Sequence, residues 1–187
     1  MSYTINTKYN DFCIYSTAEM NRINGLKNKT CCFSGHRIIP PEHYIKIAAL
    51  LEETIVKSIE DGYKYFGTGG ALGFDTLAAL TVLKLKKQYP QIRLILVLPC
   101  KNQTRYWKQK EISEYELIKK SADKILFTSE TYYNGCMQKR NRHLVDSSSR
   151  CICFLTKKTG GTAYTIDYAK SKNLEVIPIS ICTPKII

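Results

Sequence analysis

From Thr30 onward the chain alternates short apolar runs with longer amphipathic segments, and that alternation leaves few folds open. A short apolar run has the length of a strand buried on both faces, and a segment with an apolar period near 3.6 has the form of a helix laid against a sheet. Repeated in turn, the two build βαβ units around a parallel sheet. The spacing predicts strands over 29–34, 65–67, 94–98, 124–127, 151–155 and 176–179, and helices over 41–61, 74–88, 108–121, 136–146 and 162–172. The first helix is the clearest. Ile45, Ala48, Ala49, Leu51, Ile55, Val56 and Ile59 make one stripe interrupted by Glu52, with Pro40 and Pro41 at its start and Gly62 at its end. The expected fold class is therefore α/β: a single Rossmann-like domain over 30–187, with a mostly parallel sheet and helices on both faces. Residues 1–29 lack a sustained period and are expected to form an N-terminal arm or lid, in the simplest reading a flexible one.

At 187 residues the chain has room for one well-buried core and not for two. No apolar stretch approaches the roughly 20 residues that span a bilayer, and the first residues carry neither a basic start nor an apolar run, so a cytoplasmic protein is expected, in the host cytoplasm were it phage-encoded. Of the eight cysteines, Cys31, Cys32, Cys151 and Cys153 fall inside strand-like runs, where a thiol behaves as a small buried hydrophobe. Cys151 and Cys153 have no second Cys/His pair at zinc spacing, so no metal is expected. The formal charge of +12 favours phosphate-bearing partners. The lysines are nevertheless scattered along helices such as 84–87 and 119–120, the pattern of a solvated face.

In a parallel α/β sheet, ligands bind at the carboxyl edge, and five clusters fall on strand-to-helix junctions at that edge. Ser34, Gly35, His36 and Arg37 close the first strand and offer close backbone approach with phosphate or ribose partners. Gly69, Gly70, Ala71, Leu72 and Gly73 follow the second, where backbone N–H groups and a helix N-terminus can hold an anion; Asp75 beyond them caps that helix or holds a ribose hydroxyl. The full GxGxxG fingerprint is not met, which argues against ordinary NAD binding, and no cofactor is expected. Pro99 opens a loop in which Arg105 supplies charge and Trp107 or Tyr106 a flat ring for a base, unless it is an ordinary loop entering a helix. Arg140 and Arg142 stand two positions apart and cannot share a helix face; Arg140 is the one assigned to the pocket. Gly160, Gly161 and Thr162 repeat the glycine-to-helix arrangement after the fifth strand. Each glycine loop also reads as a plain tight turn.

Taken in order, CCFSGHR, GTGGALGFDTLAA, GCMQKRNRHLVDSS and GGTAYTIDYA resemble the YpsA-like branch of the SLOG superfamily. That superfamily also holds the LOG phosphoribohydrolases, the DNA-processing protein DprA and nucleotide-sensing domains of bacterial immune systems. The resemblance implies a Rossmann-like domain that assembles as a homo-oligomer, a dimer or tetramer, with a nucleotide pocket at the glycine loops. In the LOG enzymes an arginine of an MxxR segment and a glutamate after a PGGxGT loop cut a base from ribose phosphate. Met137 and Arg140 match the first pattern, and Gly161 and Thr162 the end of the second. Thr165 stands where the glutamate would be, and Lys157, Lys158 and Thr159 stand where the proline and first glycines would be. Leu77 and Leu80 occupy positions where YpsA-like relatives tend to carry tryptophan and glutamate.

A threonine cannot serve as a carboxylate acid or base. The expected function is therefore binding of a nucleotide or nucleotide-derived signal, such as an ADP-ribose-like or cyclic nucleotide, without turnover. Such a protein acts as a sensor, or as a sponge of the kind a phage countermeasure against host defence would be. Glycine-loop N–H groups with Arg37, Arg105 or Arg140 would hold phosphates, Asp75 or Thr162 would touch ribose, and Trp107 or Tyr106 would cover the base. A nucleoside-phosphate glycosidase using Asp75 is the alternative, and a DprA-like nucleic-acid binder the third reading.

Overall fold

The computed structural model describes residues 3–6 and 13–180. Its core is a six-stranded, all-parallel sheet made of β3 (Thr30–Gly35), β4 (Tyr65–Thr68), β5 (Arg93–Leu98), β6 (Lys124–Phe127), β7 (Arg150–Phe154) and β8 (Glu175–Pro178), in the order β6-β5-β4-β3-β7-β8. The helices that pack on it are α2 (Tyr44–Glu60), α3 (Phe74–Leu85), α4 (Gln109–Ser121), α5 (Cys136–Asp146) and α6 (Gly161–Ser171). Ahead of them, β1 (Tyr3–Asn6) pairs antiparallel with β2 (Cys13–Ser16), and α1 (Thr17–Lys27) follows, an element that no apolar stripe in the sequence announces.

Alternation along the strands divides the core in two. Cys31 and Phe33 of β3, Leu94, Leu96 and Leu98 of β5, and Ile152 and Phe154 of β7 face α2, α3 and α4. Cys32, Val97, Cys151 and Cys153 point the other way, against Leu144 and Val145 of α5 and Ile166 and Ala169 of α6. A strand buried on both faces has no polar positions, which is why these segments read as continuous apolar runs. Burial pushes the thiols of Cys31 and Cys153 up, the latter to about 11, so they are structural groups at neutral pH.

The helix ends follow local rules. The chain enters α2 through a short 3-10 turn at Pro41–His43 and leaves it through Gly62 at φ 93°, whose N–H donates to Ile59 O while that of Tyr63 donates to Ser58 O. Below that end, Arg150 ties three elements together: it pairs with Asp61 at 2.7 Å and Glu175 at 2.8 Å, and donates to Ser58 Oγ at 3.0 Å. No helix among the described residues is long and apolar enough to cross a membrane.

The sheet order places the site. From β3 the chain steps outward through β4, β5 and β6, then crosses back to lay β7 on the other side of β3. The loops after β3 and β7 consequently diverge, and a crevice opens between them at the carboxyl edge, the position where open α/β sheets bind ligands.

Candidate functional site

The crevice is a cleft of about 640 Å³, within the range of small-molecule sites. The end of β3 gives one wall through Ser34, Gly35, His36 and Arg37, continued by Ile38 and Pro40. His36 holds this wall in place: its N–H donates to Phe154 O at 3.3 Å, its carbonyl accepts the Phe74 N–H at 3.1 Å, and its Nε2 accepts the Lys157 N–H at 3.3 Å. The opposite wall is the β7–α6 junction, with Thr156, Lys157, Gly161 and Thr162. Thr162 Oγ1 donates to Gly35 O at 3.1 Å and pins the first turn of α6 to the end of β3. A Cβ added at Gly161 would meet nothing within 4 Å, so the start of α6 faces open space with its N–H groups and positive dipole end.

The floor comes from Ala71, Asp75 and α5, which presents Met137, Arg140 and Asn141. Spacings of three and four put these α5 residues on one helix face. Asp75 and Arg140 are each 6% exposed, and Arg140 Nη1 lies 3.7 Å from Asp75 Oδ2, an ion pair too long for a hydrogen bond. Arg140 Nε and Nη1 have no hydrogen-bond partner. Burial outweighs the pairing on both sides: it raises the Asp75 carboxyl above its ordinary 3.8 although Arg140 pulls it down, and it lowers the Arg140 guanidinium although Asp75 pulls it up.

The first glycine loop differs from the expected anion cradle. Asp75 takes its donors, because Ala71 N–H donates to Asp75 Oδ2 at 3.3 Å and Gly69 N–H also points at that carboxylate. The Arg140 guanidinium fills the space a Cβ at Gly69 would need, and a Cβ at Gly73, φ 77°, would strike the Arg37 carbonyl. Gly70 packs toward Leu98 and Tyr115 while its carbonyl accepts from Gln103 Nε2 at 2.7 Å. These glycines are set by packing. Only Ala71 of the loop reaches the cleft; Gly69, Gly70, Leu72 and Gly73 stand behind it, and Gly160 lies just outside the opposite wall.

Three further expected residues are not brought to the cleft. Trp107 packs edge-on against Tyr115, centroids 5.5 Å apart, on the α4 side of the core. Arg105 lies over the exposed Tyr106 ring at 5.3 Å, and Pro99 does not line the cleft. Arg142, on the outer face of α5, donates to Tyr164 Oη at 2.7 Å. The glutamate position of the LOG pattern, Thr165, is buried, with its hydroxyl donating to Gly161 O at 2.7 Å and accepting from Asn141 Nδ2 at 2.8 Å. Lys157, Met137 and Asn141 join the cleft without having been assigned to it from sequence. For the last two the signal was present in their spacing around Arg140.

Relatives agree with this architecture. A UPF0398 protein of Halalkalibacterium halodurans is 32% identical over 145 residues, covering 75% of this chain and 76% of its own length. The SPbeta prophage-derived protein YoqJ of Bacillus subtilis is 32% identical over 141 residues, 69% of this chain and 81% of YoqJ. Among solved structures, DprA from Helicobacter pylori superposes with a TM-score of 0.62 at 18% identity over 98% of this chain and 82% of that one. DprA from Streptococcus pneumoniae gives the same score at 16% identity; the match spans 86% of this chain and 53% of that larger protein. At such identities these structures share the fold. The profile of YpsA, the YspA SLOG family, matches residues 39–185, most of the chain, and the protein therefore belongs to that family.

Proposed function

We propose that the cleft binds a nucleotide-derived, phosphate-bearing small molecule and holds it without cleaving it. The observation that carries this reading is Arg140, a buried guanidinium that lines a cleft of about 640 Å³ and whose Nε and Nη1, packed beside Gly69, have no partner. Leaving such donors unsatisfied costs roughly 1–3 kcal/mol each, and a ligand oxygen removes that cost. The open N-terminus of α6, flanked by Lys157 and faced by Arg37, suits a phosphate. Ile38, Pro40 and Met137 add an apolar surface for a base.

Retention without hydrolysis follows from the groups at hand. Thr165 carries no ionisable group and its hydroxyl is already engaged. Asp75, among the described residues the one carboxylate lining the cleft, accepts the Ala71 N–H and lies 3.7 Å from Arg140, an arrangement that suits holding a ligand more than exchanging protons with it. A capture role fits a chain related to a prophage-derived protein, as a sponge for a signalling nucleotide in the host cytoplasm. Assembly as a dimer or tetramer belongs to the same proposal; the arm or lid expected over 1–29 lies in part outside the described residues.

Calorimetry with AMP, ADP-ribose, NAD and cyclic ADP-ribose isomers tests it. At least one should bind, and Gly161→Val, whose Cβ meets nothing within 4 Å and whose methyl groups enter the open side of the cleft, should weaken it tenfold or more in a folded protein. No binding by any of them overturns the reading.

A second reading has its own support. Tyr106, 87% exposed, and the exposed Tyr132 stand at the same sheet edge among Arg105, Lys108 and Lys110. The Helicobacter pylori neighbour, DprA, has a single-stranded DNA binding mode. Polynucleotide affinity that falls steeply with salt would favour it.

A further inference from the structure

We propose that Asp75 and Arg140 together read the vicinal hydroxyls of a ribose, so that the ligand of this cleft is a ribonucleotide with a free cis-diol and its phosphate lies at the α6 end instead. The inference rests on the reading of the cleft as a nucleotide-ligand site and assigns a task to its floor.

The two side chains present opposite hydrogen-bonding character side by side. Arg140 offers only donors, and its Nε and Nη1 are unpartnered. Asp75 offers only acceptors; Ala71 N–H takes one lone pair on Oδ2 at 3.3 Å and Gly69 N–H another, and an ionised carboxylate has about four. At 3.7 Å the pair is held apart, close enough for one group to touch both members and too far for them to satisfy each other.

A phosphate is the wrong partner for that arrangement. Any phosphate oxygen accepting from Arg140 Nη1 would be brought close to Asp75 Oδ2, placing two anions together where little water screens them. A hydroxyl is neutral and both donates and accepts. It can donate to the carboxylate while accepting from the guanidinium, and two adjacent hydroxyls can do so at both members of the pair. The anionic end of the ligand then turns to the wall without a carboxylate, where Lys157 and the N–H groups at Gly161 and Thr162 stand.

The test is calorimetry of the wild-type chain with AMP, 2′-deoxy-AMP and 2′,3′-dideoxy-AMP, repeated on Asp75→Asn. Hydrogen bonds to charged groups are lost stepwise along the series, so AMP should bind about 10- to 100-fold more tightly than the dideoxy compound. Asp75→Asn should shrink that ratio severalfold, since only Arg140 and a neutral amide then meet the diol, while the dideoxy compound keeps its affinity. Loss of a purely structural carboxylate would weaken all three nucleotides alike. If Asp75→Asn does not fold, the wild-type ratio decides alone. Equal wild-type affinities, or a ratio unchanged by Asp75→Asn, overturn the diol assignment and leave the cleft as a phosphate site. Failure of all three to bind, together with failure of ADP-ribose, overturns the cleft reading and this inference with it.

Discussion

Replacing Arg140 and Asp75 together by neutral side chains of similar size should make the ligand-free protein more stable. The pair is largely buried, yet its 3.7 Å separation forgoes a hydrogen bond, and two guanidinium donors have no acceptor. A buried ion pair of poor geometry does not recover its desolvation cost, and neutral replacement is commonly neutral or stabilising by about 1–4 kcal/mol. Here the orphaned donors move the balance upward, while methionine replaces the Arg140 stem and refills only part of the space the guanidinium takes over Gly69. Asparagine keeps an acceptor for the Ala71 N–H. The expected net gain for Arg140→Met with Asp75→Asn is about 1–3 kcal/mol, or roughly 3–10 °C in the unfolding midpoint of a domain this size. Each single change should do the opposite, because it strands the other charge. Differential scanning calorimetry of the four proteins without ligand reads both effects. A double variant less stable than the wild type would refute the argument, since it would mean that the pair is a net contributor to the fold and not a cost carried for the site.

The same pair sets a pH dependence. Because burial raises the Asp75 carboxyl above 3.8, the folded state holds that proton where the unfolded state has released it, so the contribution of Asp75 to stability is greatest below 3.8 and is lost as pH rises through the folded value. Urea unfolding against pH should show the double variant gaining on the wild type over that interval and running parallel above it. Gly70→Ala should cost about 1–3 kcal/mol, because φ is 62° and Leu98 Cδ2 lies 2.7 Å from the added carbon, whereas Gly161→Ala should stay within about 0.5 kcal/mol. Denaturant titration of the two variants separates the packed glycine from the open one. Arg150→Ala should lose about 2–3 kcal/mol by releasing Asp61, Glu175 and the buried Ser58 at once, again read in urea.

Much of this fold was legible from period alone. Strands with no polar face had to be central, and Gly62 and Pro41 mark the ends of α2 because their backbone requirements are local. Strand order was not legible, since nothing in the sequence of β7 says that it returns to lie beside β3. The cleft inherits that limit. Ser34 to Arg37 and Gly161 to Thr162 were identifiable as junction residues, but their meeting across one crevice depends on the crossover. Trp107 was misplaced because an indole beside cations suits a ligand or a core equally, and the deciding contact, Tyr115, is eight positions away on a helix. The first glycine loop was misread for a related reason. Its N–H groups do bind an anion, but the anion is the chain's own Asp75, and a sequence does not say whether a loop closes on itself or on a ligand.

The central claim is that the cleft captures a nucleotide-derived ligand and returns it unchanged. The most direct measurement incubates excess protein with AMP, ADP-ribose, NAD and cyclic ADP-ribose isomers, removes unbound material, heats the complex and identifies by chromatography what is released. The account predicts that a bound compound is recovered intact in stoichiometric amount. Release of free base and ribose phosphate, abolished by Asp75→Asn, would contradict it and make the protein a glycosidase.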